Sequence, residues 1–144
     1  AMSERLEGGR FANVERLDRE LTDLGLAEGS VDFAITAMNF HDFYYNGGSE
    51  AVQGILAAVK AILKPGGVLG IIDHVGVAGA DNSKLHRIEP EIVREEAQKA
   101  GFELDGESDL LANPEDSHDA NVFGELRGRT DRFLFRLKKP GEQG

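Results

Sequence analysis

The 144-residue sequence has no cysteine, no tryptophan, four prolines and two tyrosines. Without cysteine there is no disulfide framework, no zinc–thiolate site and no thiol nucleophile. The longest apolar run, residues 67–72, falls far short of the roughly 20 residues a membrane helix needs, and no membrane partner is expected. A basic surplus is also missing: 26 Asp+Glu against 16 Lys+Arg leave a net charge of −10. That balance disfavours a nucleic-acid backbone or an anionic bilayer as partner. No secretory leader is visible, so the expected location is the cytoplasm. The opening Ala1-Met2-Ser3 reads as one cloning-derived residue ahead of a start codon. What is present is 40% apolar residues, among them eight Phe, beside 29% charged residues. Such a composition packs a core, and one domain is expected over residues 1–144.

Strand and helix patterns alternate along the chain, which predicts an α/β architecture with a parallel sheet. Residues 3–12 are polar and broken by glycine, residues 13–17 suit a short strand, and residues 18–28 suit a loop or one to two helical turns. Residues 31–38 (VDFAITAM) form an apolar run of the kind buried on both sheet faces. Asn46-Gly47-Gly48-Ser49 is turn chemistry, with Ser49 suited to cap a helix. The pairs Ala51/Val52, Ile55/Leu56, Ala58/Val59 and Ile62/Leu63 then recur at helical spacing, until Lys64-Pro65-Gly66-Gly67 ends the helix. Residues 68–75 (VLGIIDHV) read as a second buried strand. Pro90 opens a further helix with inner face Ile92, Val93, Ala97 and Ala100, stopped by Gly101. Residues 102–108 and 132–138 alternate as two late strands, expected to pair antiparallel. The largely polar segment between them, 109–131, is at 23 residues long for a structureless loop and suggests a functional or inserted segment.

In open α/β sheets, ligands bind beyond the carboxyl ends of the strands. Asn39-Phe40-His41-Asp42-Phe43-Tyr44-Tyr45 follows the first apolar strand, and Asp73-His74 ends the second. If the two strands adjoin through the intervening helix, both groups reach one rim. All four histidines (41, 74, 86 and 118) fall outside the predicted strand and helix interiors. Plainer roles compete: His74 can cap a turn, Tyr44 and Tyr45 can pack, and residues 84–87 can be a solvated face. Nothing in the spacing is diagnostic of a metal site, so none is expected. His41, Asp42, Asp73, His74 and His118 would be the donors if one existed.

Taken together, several segments resemble the second half of class I S-adenosylmethionine-dependent methyltransferases. They are Gly29-Ser30-Val31-Asp32-Phe33-Ala34-Ile35 and Leu63-Lys64-Pro65-Gly66-Gly67-Val68-Leu69. A group of bacterial predicted methyltransferases is resembled more closely, through Asn39-Phe40-His41-Asp42, Asp73-His74, Leu85-His86-Arg87-Ile88 and Arg127-Gly128-Arg129-Thr130-Asp131-Arg132. The resemblance runs from about residue 13 to 140. It implies a Rossmann-like, mostly parallel sheet with flanking helices and a C-terminal antiparallel strand pair. It also implies S-adenosylmethionine as cofactor, with Glu20 and Leu21 meeting the adenine ring and Asn39 nearby; Asp18 and Asp23 are rivals to Glu20. Asn39, His41 and Asp42 would be catalytic, and Tyr44, Tyr45, His74, His86, Arg87 and His118 would meet a small-molecule methyl acceptor.

The first strand and glycine-rich cofactor loop of that family have no counterpart here, since Gly8-Gly9 follows no strand and opens no helix. The chain thus resembles roughly the last two-thirds of a methyltransferase, a truncated form of that fold. Weak or absent cofactor binding is expected, and a non-catalytic binding or oligomerisation module is the competing function. Losing the family's central strand also exposes the 31–38 edge. Either residues 13–17 or a second copy, giving a homodimer, is expected to cover it.

Overall fold

The computed structural model describes residues 1–141. Its elements are α1 (Met2–Leu6), β1 (Val31–Ala37), α2 (Phe40–Ile62), β2 (Leu63–His74), α3 (Asn82–Leu85), α4 (Pro90–Lys99), β3 (Glu103–Ser108) and β4 (Arg132–Lys138). The sheet order is β1-β2-β4-β3. β1 and β2 run parallel, joined by α2, while β4 is antiparallel to both its neighbours. The late strands pair as expected, but the sheet is mixed and not mostly parallel. Only one βαβ crossover lies within the described residues.

Alternation along the strands explains the core. Leu69 and Ile71 of β2 and Phe133, Phe135 and Leu137 of β4 point to one face. There they meet Val52 and Leu56 of α2 and Val93 and Ala97 of α4. At about 25 cal/mol per Å² of apolar surface, this helix-covered face is where the fold's hydrophobic stabilisation concentrates. The opposite face has no helix among the described residues. Phe33 and Ile35 therefore stand 55% and 58% exposed, beside Val68 and Gly70. The expectation that residues 31–38 are buried on both faces is thus corrected: β1 is an edge strand with one bare face.

Residues 13–17 form no strand, and their Val14 and Leu17 are exposed. A lone strand has no partner for its backbone groups, and the outer edge of β1 is unpaired among the described residues. Residues 20–29 instead run irregularly past α2, with Gly29 N–H donating to the Ala61 carbonyl at 3.0 Å.

The helix between β1 and β2 also differs from expectation. Residues 40–47, read as rim and turn, already belong to α2, which kinks at Gly48 (φ 69°, ψ −173°). Glycine reaches that left-handed φ without strain. Ser49 makes no capping bond there; its hydroxyl donates to the buried Glu96 carboxylate of α4 at 2.9 Å. The helix from Pro90 ends as expected, with Gly101 at φ 87°.

Candidate functional site

The parallel pairing of β1 with β2 brings their carboxyl ends side by side. The ladder runs to its last rung, where Met38 N–H donates to the Ile72 carbonyl at 2.7 Å. Asp73, fully buried, follows on β2. One of its oxygens accepts the His41 backbone N–H at 2.8 Å, pairing a first-turn donor of α2. The other accepts the His74 backbone N–H at 2.8 Å and faces His41 Nδ1 at 2.8 Å. A carboxylate is acceptor-only, so the ring hydrogen sits on Nδ1 and the lone pair of neutral His41 on Nε2. His41 is 3% exposed, and its Nε2 has no hydrogen-bond partner.

Around that lone pair lie Asp42 and His86. Asp42 Oδ1 is 3.4 Å from His41 Nε2 and 3.6 Å from His86 Nδ1. His86 follows α3 in a left-handed conformation (φ 57°), which turns its ring edge-on to both His41 and Phe123. Met38, just before the motif, is left-handed as well (φ 60°). Non-glycine residues held at positive φ concentrate where geometry is constrained for use, and two of the four here flank this pocket.

The electrostatics separate the two inner histidines. Burial works against charge on His41, but the Asp73 hydrogen bond and charge, with Asp42, outweigh it and raise its pKa above the ordinary value. For His74, burial dominates over the opposing Asp73 charge. With Arg132, His41 and Arg87 adding to it, the pKa falls to about 4. His74 is therefore neutral at pH 7, its Nδ1 2.6 Å from the Thr130 hydroxyl.

Two cavities meet at this corner. The polar one, about 450 Å³, is lined by Met38, Asn39, His41, Asp42, His74, Val122, Phe123, Arg127, Gly128 and Arg132. The other, about 510 Å³ and almost wholly apolar, lies between β1, α2 and the 21–24 segment, with Leu21, Leu24, Ile35 and Phe43 among its walls. Asn39 lines both. Both volumes lie within the range of small-molecule sites.

The structure brings Asn39, His41, Asp42, His74 and His86 together. Leu21 lies on the apolar cavity, whereas Glu20 is exposed and does not line it. Tyr44 and Tyr45 stack edge-on against each other and pack against the core. Arg87 is fully buried: it grips Asp116 with two bonds of 2.8 and 2.9 Å and donates to the Ala120 and Val75 carbonyls. Burial tends to raise the Asp116 pKa, but Arg87 and the backbone N–H groups of Asp131 and His118 hold it down to about 2. His118 bonds Asp131 at 2.8 Å, outside the pocket. Arg87 and His118 thus fasten the 109–131 segment. That segment is irregular but pinned, and it delivers Val122, Phe123, Arg127 and Gly128 to the pocket. Sequence reasoning missed Phe123 as a wall; its only signal was an aromatic inside an otherwise polar stretch.

No protein-family model matches the chain, and no curated protein sequence matches it. Solved structures do. A SAM-dependent methyltransferase from Aquifex aeolicus superposes with TM-score 0.63 at 20% identity, over 96% of this chain and 61% of that one. The cyclase SpnF superposes with TM-score 0.63 at 19% identity, over 99% and 62%. A proposed DNA modification methylase from Thermus thermophilus, complexed with S-adenosyl-L-methionine, gives TM-score 0.53 at 20% identity, over 86% and 54%. The chain therefore spans less than two-thirds of each of these structures. At such identities the likeness shows the fold alone: this chain has the architecture of part of a methyltransferase-type Rossmann fold.

Proposed function

We propose that the protein is a methyltransferase of the S-adenosylmethionine-dependent kind, acting on a small-molecule acceptor held in the polar pocket. The observation that supports this reading best is the position of Asn39, the shared wall of an apolar cleft and a histidine–carboxylate pocket. Methyl transfer is a displacement at carbon, so a donor and an acceptor must be held in line across one short gap. Two cavities that share Asn39 as a wall are consistent with that arrangement.

The residues on the cleft fit an adenosyl group in part. Leu21, Leu24 and Phe43 offer apolar walls for a flat ring, and Asn39 a polar edge. When bound, S-adenosylmethionine supplies an electrophilic methyl on a sulfonium. The chain's own contribution is to bind and to manage a proton. Asp73 orients His41 and fixes its hydrogen on Nδ1, leaving Nε2, beside Asp42, as the atom that would accept an acceptor proton. Neutral His74 adds no competing charge. Phe123 and Val122 exclude water from one side, and Arg127 and Arg132 favour an acceptor that carries or develops negative charge.

Among the described residues no strand precedes β1 and no glycine-rich turn stands at the cleft. Cofactor affinity is accordingly expected in the millimolar range. Equilibrium dialysis with labelled S-adenosylmethionine tests the reading. Weak saturable binding that Asn39→Ala abolishes supports it. Binding indifferent to Asn39→Ala, or none at millimolar cofactor, overturns it.

The second reading, a module that self-associates without catalysis, draws on the open ladder of β1 and on exposed Phe33 and Ile35. A second copy brings the same alternation to a two-fold strand pairing, and such pairing is compatible with either function.

A further inference from the structure

We propose that His41, Asp42 and His86 form a site for a divalent transition-metal ion of the zinc class. Such an ion would carry the acceptor into reaction. One donor atom from each of the three side chains lies within 4.8 Å of the other two. A tetrahedral ion with bonds of about 2.0–2.2 Å spaces its donors roughly 3.3–3.6 Å apart. His41 Nε2–Asp42 Oδ1 at 3.4 Å and His86 Nδ1–Asp42 Oδ1 at 3.6 Å match two of those edges. The cluster is not merely three polar groups at a surface. His41 is 97% buried, and the one atom it turns toward Asp42 and His86 is orphaned. Leaving a buried polar atom without a partner is unfavourable, and an ion on Nε2 removes that cost.

The shell behind His41 is that of a metal ligand. Its other nitrogen donates to a carboxylate, Asp73, which itself accepts two backbone N–H groups and so has no freedom to turn away. Such carboxylate–histidine pairs fix the tautomer and raise ligand basicity. Two imidazoles and one carboxylate suit zinc, cobalt, manganese or iron(II). Three protein donors leave a position open toward the cavity where Phe123, Arg127 and Arg132 stand.

This inference rests on the methyl-transfer reading only for its chemistry, not for the site itself. An acceptor hydroxyl bound at the open position becomes more acidic and releases its proton to solvent at the pocket mouth. Its oxygen then forms a bond to the methyl carbon as the sulfur–carbon bond breaks. The bonding pair stays on sulfur, and the sulfonium becomes a thioether. With the ion bound, His41 acts as ligand, and the ion replaces it in activating the acceptor.

The test is titration of chelator-stripped protein with Co²⁺, followed by visible absorption, with Zn²⁺ as competitor. One equivalent should bind with tetrahedral-type bands that Zn²⁺ displaces. His86→Ala, at a partly exposed position that keeps the fold, and Asp42→Asn should each weaken binding at least 100-fold. Asp73→Asn, behind the ligand, should weaken it about 10–100-fold. Glu103→Gln, an exposed acid on β3, should change nothing. No saturable binding, or binding indifferent to His86→Ala and Asp42→Asn, overturns the site. Cofactor dialysis on the same preparation separates the two ideas. Cobalt binding without cofactor binding overturns methyl transfer and leaves the metal site standing; the reverse overturns the metal site alone.

Discussion

Replacing Asp73 by Asn tests the carboxylate on which the pocket is built. Three N–H groups point at its two oxygens: His41 backbone, His41 Nδ1 and His74 backbone, each at 2.8 Å. An amide has one oxygen, so either orientation of the substituted side chain leaves a buried backbone N–H facing an NH₂ group. The orphaned donor and the lost charge-assisted bond together cost about 2–4 kcal/mol. At this chain length that lowers Tm by roughly 6–16 °C. The same change removes the charge that holds the His41 pKa above its ordinary value, leaving burial to push it down. Thermal unfolding reads the first effect. Histidine side-chain NMR, with only four histidines to assign, reads the second. A Tm within about 1 °C of wild type together with an unmoved His41 midpoint would refute the proposed role of Asp73.

Three further outcomes rest on other parts of the fold. His74, with its pKa lowered to about 4 from 6.5, stabilises the fold above pH 6.5 and loses that contribution as pH falls toward 4, by about 3 kcal/mol. His41, with a raised pKa, contributes below pH 6.5 and loses it as pH rises through its folded value. His74→Gln should flatten the acid side of a Tm–pH profile, and an unchanged acid limb would contradict this. Arg87→Met leaves Asp116 buried without its cation and should cost about 3–5 kcal/mol by urea denaturation; a loss under about 1 kcal/mol would mean the pair is dispensable. Ile35→Lys on the bare face of β1 should abolish the proposed self-association in sedimentation velocity, and a wild-type monomer at every concentration would dismiss that proposal.

Much of the fold was legible because it rests on local rules. The apolar run at 31–38, the spacing from Ala51 to Ile62, the Pro90 start and the Gly101 stop each carry their own signal. The exposure of Phe33 and Ile35 was not legible, since burial of a strand depends on which helices arrive above it. Residues 40–45 were misjudged because Asn46-Gly47-Gly48 looks like a loop, whereas the chain kinks at Gly48 and α2 continues on either side. At the site, the convergence of Asn39, His41 and His74 followed from strand adjacency alone. The joining of His86 to them depends on a left-handed turn after α3, which no periodicity announces. Arg87 and His118 illustrate the opposite limit: residue type suggested binding chemistry, whereas the structure pairs them with Asp116 and Asp131, away from the pocket lining.

On the proposed reading, the tips of β1 and β2 join a cofactor cleft to an acceptor pocket through Asn39. Titrating ¹⁵N-labelled protein with S-adenosylmethionine to millimolar concentration tests it most directly. Graded amide shifts are expected at Leu21, Asn39, Phe40 and His41, with β3 unmoved. Shifts confined to other surfaces, or none at all, would contradict it.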